Sequence, residues 1–292
     1  METLENDSQN VYITSLEGIH EYGGNFRPFP DINPAGQLYS KNVQISIFGK
    51  PQNWKDNIIN HPEVLQFLYE KKIKEIYLPD SSVFTGTILN STDFYERGEI
   101  RGVNIMGGRK TEGLILPSQS SVLMRTADCP TIIYHDITND VLIVAHAGFG
   151  SIIDKQRIVV GFSSRYNESV VDDIMGKVPE TDDYEIHIVC GIHYNSFVYN
   201  PSHPIYGEDN KKILDYLIEI YGEIAVPLGL HHGGISIQSI IKKQFLDYGL
   251  DVDRISTDNI DTYSDPRFWS HSRSVRLNEQ ISGRNGVLVL HK

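Results

Sequence analysis

The chain has 292 residues, enough to bury a full core as one large domain or two small ones. A net charge of −12 and a pI near 5.3, without any basic run or stripe, argue against nucleic acid and anionic membrane as partners. Two cysteines, Cys129 and Cys190, exclude a disulfide framework and suit a reducing compartment. The opening residues lack the cationic and apolar regions of a signal peptide, and no apolar run approaches the ~20 residues of a membrane helix, so the expected location is the cytoplasm.

In chain order, residues 1–41 are rich in Asn, Pro, Gly and Tyr and read as a partly irregular N-terminal extension ahead of a single domain over 42–292. Val64, Leu65, Phe67 and Leu68 recur at helical spacing after Pro62, predicting a helix over 61–72, and 73–78 reads as a strand. A strand-rich centre follows at 103–105, 113–116, 121–125, 130–136 and 141–146, with a Gly107-Gly108 turn that matches no phosphate-loop pattern. A helix is predicted over 152–166 and a strand over 184–190. Amphipathic helices are predicted over 211–221 and 236–248. Mixed strands with helices between and after them predict an α+β, or mixed α/β, fold.

The chemistry concentrates between Met124 and Gly148. Two apolar runs flank the turn residues Thr138-Asn139-Asp140 and predict a β-hairpin. Pairing about Asn139 sets opposite each other positions whose numbers sum to about 277 or 278, so His146 faces Thr131 or Ile132 and Cys129 lies just beyond. A thiol beside an imidazole can act as a nucleophile with its base, or supply two of the three protein ligands of a catalytic zinc. It can also be a buried cysteine next to a satisfied histidine.

Thr126-Ala127-Asp128-Cys129-Pro130, followed by His146-Ala147-Gly148, resembles the TADC…HAGW signature of the YfiH-type purine nucleoside phosphorylase family, formerly called multicopper polyphenol oxidoreductase or laccase-domain proteins. Other stretches are similar in the same order: Glu112-Gly113-Leu114-Ile115, Val122-Leu123-Met124-Arg125, the late helix through Gln244-Phe245-Leu246, Asp261-Thr262-Tyr263-Ser264-Asp265-Pro266, and Gly283-Arg284 with the apolar end. The resemblance covers roughly residues 42–291. It implies stacked mixed β-sheets flanked by helices, and zinc held by Cys129 and His146. It further implies purine nucleoside phosphorolysis with adenosine deamination as a companion, with Asp128 relaying protons or orienting ligands. Arg125, Arg273 and Arg284 are the candidate phosphate binders, and His193 is a candidate substrate contact or further metal ligand, with a structural role as the alternative.

Departures from the family pattern are specific. A third zinc-ligating histidine is missing, since none occurs between His61 and His135, and Asp80 is the nearest substitute. The cation after HAG is replaced by Phe149-Gly150-Ser151, and a family cysteine by Asp261. These changes leave two alternatives to the zinc enzyme: a metal-free Cys-His hydrolase, and a non-catalytic binding module of the same fold. His231-His232 reads as a solvated loop, and a copper centre lacks the soft ligands it needs.

Overall fold

The computed structural model describes residues 42–50, 53–55, 58, 62–81, 86–163, 165, 167–258, 260–280 and 282–292. The predicted extension over 1–41 lies outside the described residues. Short β-branched and apolar runs form two six-stranded mixed sheets. The first has the order β1 (Val43–Phe48), β12 (Asn285–His291), β7 (Ser120–Thr126), β2 (Glu75–Tyr77), β5 (Val103–Gly107) and β4 (Tyr95–Ile100). In the second the order is β11 (Ile255–Thr257), β10 (Tyr184–Val189), β8 (Thr131–Asp136), β9 (Val141–His146), β6 (Gly113–Leu116) and β3 (Ile88–Asn90).

The sheets stack, and strand alternation divides their side chains between two cores. Ile133, Leu142 and Val144 of the second sheet join Val122, Met124, Val287 and Val289 of the first in one core. Ile132, Tyr134, Ile143 and Ala145, which point the other way, form a second core with the helices. Helix α1 (Pro62–Glu70) adds Val64, Leu65, Phe67 and Leu68 to the first core and packs against β5. The second core takes in α2 (Phe149–Ile152), α3 (Lys155–Val160), α4 (Val170–Met175), α5 (Gly207–Tyr221) and α6 (Ile237–Asp247). A last helix, α7 (His271–Leu277), follows the loop after β11.

The predicted α+β architecture is observed, and most predicted strands and helices agree to within a few residues. The single helix expected over 152–166 is instead two short ones, α2 and α3. Asp154 caps α3 by accepting a hydrogen bond from Arg157 N, and Gly161 ends it in the left-handed region at φ 77°. β3, β4, β11, α4 and α7 had no sequence expectation, and β1 and β12 had none as strands.

Candidate active site

The hairpin β8–β9 pairs Thr131 with His146, one of the two registers the sequence predicts, and Ala147 N donates to Pro130 O at 2.8 Å. On its other side β9 pairs with β6, Gly113 opposite Ala145, so Glu112 lies beside His146 and accepts its backbone N–H at 2.7 Å. The side chains meet as well. His146 Nδ1 donates to Glu112 Oε2 at 2.8 Å, with Glu112 fully buried. This bond orients the ring and leaves its other nitrogen for Cys129. Burial disfavours the imidazolium, but the Cys129 sulfur and the Glu112 carboxylate outweigh it and carry the His146 pKa to about 10.

Cys129 ends a loop that is held from several sides. Thr126 Oγ1 donates to Cys129 O. Asp128, at φ 85°, accepts from Thr262 Oγ1 at 2.9 Å and from Ser272 N at 2.6 Å, while its carbonyl accepts from Ile192 N. With both carboxylate oxygens engaged, Asp128 holds the cysteine loop to the segment that enters α7. Burial raises the Tyr199 pKa to about 12, and the neighbouring Cys129 adds to that shift. Burial lowers the pKa of Lys155, at the start of α3, against the opposing influence of nearby Cys129, and its ammonium lies 5.9 Å from the Phe149 ring centroid.

Cys129 and His146 open onto a cleft of about 590 Å³. Arg125, Arg284, Lys55 and His271 line it, together with Asp80 and Ser81. Burial lowers the Arg125 pKa, against the pull of Asp80, and the neighbouring Arg284 lowers it further. Two crowded guanidiniums favour an anion between them.

Other predicted site residues lie elsewhere. The Arg273 guanidinium donates to the carbonyls of Thr262, Tyr263, Asp265 and Phe268 and pairs with Glu279, so it ties the loop before α7 to the helix. His193 does not line the cleft; its backbone N–H donates to Asp261 Oδ1. Asp261 also accepts from Ser196, Tyr263 N and Ser264, which makes it a buried loop anchor. Sequence reasoning missed Glu112, Lys55 and His271 as site residues. For Glu112 the signal was present, since extending the hairpin register by one more strand sets it beside His146.

A zinc ion needs a third protein donor that converges with Cys129 and His146. Asp80 lines the cleft, yet it does not bring its carboxylate within 4.8 Å of both, and no third donor does so among the described residues. The residues therefore fit two positions of such a site and not three. The group that converges within 4.8 Å, and could hold a metal, is His135, Asp140 and His291, at the turn end of the same hairpin.

No family profile and no curated protein matches the sequence. Solved structures do match the fold. Bacillus licheniformis hypothetical protein YfiH superposes with a TM-score of 0.58 at 13% identity over 91% of this chain and 100% of that one. A Neisseria meningitidis protein of the DUF152 family gives 0.56 at 13% identity over 92% and 100%. YlmD from Geobacillus stearothermophilus gives 0.57 at 12% identity over 86% and 93%. The chain thus has the YfiH-like fold. No described helix is long and apolar enough to cross a membrane.

Proposed function

We propose that the chain is a divergent YfiH-type enzyme that cleaves purine nucleosides with phosphate. The observation that carries this reading is the Glu112–His146–Cys129 arrangement at the mouth of a cleft lined by Arg125, Arg284 and Lys55. In the proposed reaction the guanidiniums bind phosphate in bidentate fashion. A phosphate oxygen bonds to C1′ of the ribose as the C1′–N9 bond breaks, and the electron pair leaves on the base. His146, kept protonated by Glu112 and Cys129, donates a proton to the departing purine. Sugar 1-phosphate and free base are the products. Because the zinc implied by the resemblance finds only two protein ligands, no step is assigned to it.

The test is base release from adenosine, inosine and guanosine, with and without phosphate. Release that needs phosphate, and that falls about 10²-fold or more in His146→Ala and Glu112→Ala, is expected. Loss of phosphate dependence, or full activity in His146→Ala, overturns the proposal.

The same geometry supports a second reading, because a thiol, a histidine and a carboxylate in that order also make a nucleophile, its base and its orienting group. In that case the protein releases no base from any nucleoside, and an amide-derived electrophile labels Cys129 one to one. Cys190 serves as internal control, since it is fully buried and burial pushes its thiol pKa well up.

A further inference from the structure

At the end of the hairpin remote from Cys129, three side chains from different strands converge. His135 projects from β8, Asp140 from the turn before β9, and His291 from β12 of the facing sheet. His291 and His135 are each 1% exposed, whereas Asp140 is exposed at the rim. His291 Nδ1 lies 2.9 Å from Leu116 O, and a carbonyl oxygen can only accept, so Nδ1 carries a hydrogen. In a neutral ring Nε2 is then a lone pair, and it faces Asp140 Oδ1, another acceptor, at 3.0 Å. A positive charge must resolve that contact. Protonation of His291 would suffice for this pair alone, but it leaves His135 unexplained. His135 Nδ1 has no hydrogen-bond partner, and Nε2 reaches the same Asp140 oxygen only at a long 3.5 Å. A buried imidazole held only by so long a contact is costly, and a bound cation would give Nε2 a close partner.

We propose that His135, Asp140 and His291 form a divalent transition-metal site, with zinc the ion of best chemical fit, that clips the β8–β9 turn to the last strand of the opposite sheet. Two imidazoles and one carboxylate are a usual zinc ligand set. A tetrahedral ion at about 2.0–2.1 Å sets its ligand atoms about 3.3–3.4 Å apart, close to the 3.0 and 3.5 Å found here. The Nδ1–H bond to Leu116 O is the outer-shell contact that fixes a ligating histidine's tautomer. Water reaches the exposed Asp140 side and can complete the coordination. The site is separate from Cys129 and does not depend on the proposed phosphorolysis.

The experiment uses the full chain as Cys129→Ala, which removes the thiol of the other site. After exposure to zinc and exhaustive dialysis, about one zinc per chain is expected by mass spectrometry, and zinc raises the unfolding midpoint by a few degrees. Cobalt in its place gives visible ligand-field bands without a thiolate charge-transfer band. Affinity falls at least about tenfold in both Asp140→Asn and His291→Gln. Asn tolerates the left-handed φ of 53° at position 140, so Asp140→Asn keeps the turn and tests the site even if His291→Gln fails to fold. Absence of zinc and cobalt binding in Cys129→Ala overturns the proposal and leaves a plain His291–Asp140 ion pair. Unchanged affinity in Asp140→Asn overturns it too.

Discussion

A β-carbon added at Gly113 would collide with Val144 O and lie 2.6 Å from Ala145 Cα, so β6 approaches β9 more closely than a side chain permits. That close approach sets Glu112 against His146. Gly113→Ala is therefore expected to cost about 1–3 kcal/mol in denaturant unfolding, and to lower the proposed nucleoside turnover beyond what the stability loss explains. A second residue, Asp258, is buried and accepts from Cys190 N at 2.7 Å. Burial lifts its pKa from the usual carboxylate value to about 7, against the pull of the Cys190 and Ile260 N–H groups. The folded state then holds a proton that the unfolded chain has released above about pH 4, so this group's contribution to stability falls as pH rises from about 4 to 7 and is level beyond. Asp258→Asn should flatten that slope in unfolding measured at pH 5 and pH 8; an equal slope in both proteins would refute the assignment. At this scale the Cys129–His146 pair was legible because a hairpin register follows from a turn and two apolar runs. Lys55 and His271 were not, since chain folding at long range alone brings them to the cleft.

Among the elements, α7 and the cysteine loop act as one unit through Asp128. Replacing Asp128 with Ala removes the acceptor of Ser272 N and Thr262 Oγ1, both buried or partly so, at an expected cost of about 1–3 kcal/mol. Hydrogen exchange should then speed up together in 126–130 and 270–277. Acceleration in the loop alone would show that the two move separately. The long elements α5 and α6 were readable from apolar periodicity, and β6 and β9 agree with their predicted bounds. Two of the missed strands were short, and the six-residue β4 was too polar to show an apolar pattern. β3 and β11 have three residues each, too few for alternation to register. α4 is announced by a capping box rather than by periodicity, with Ser169 accepting from Asp172 N and Asp172 accepting from Ser169 N. Reading Ser169 and Asp172 together would have located it.

Across the whole molecule, the second sheet gives alternate side chains to both cores, so neither core can melt while the other keeps its strands. Far-ultraviolet and near-ultraviolet circular dichroism are expected to report one coincident unfolding transition. Two separated transitions would mean that α5, α6 and their neighbours detach as an independent unit. The α+β class was foreseen from strand and helix order and the stacked sheets from the family resemblance, whereas the sheet order was not, because β12 from the end of the chain sits between β1 and β7. The β8–β9 hairpin has a further consequence for how such a chain can change its length. It carries Cys129 and His146 at one end and His135 and Asp140 at the other, and its two faces belong to different cores. One inserted residue in either strand would turn the following side chains onto the opposite face. Descendants of this sequence can thus lengthen at the tips of surface loops, where a gap or an insertion disturbs nothing behind it, while the strands Thr131–Asp136 and Val141–His146 keep their length or lose the fold.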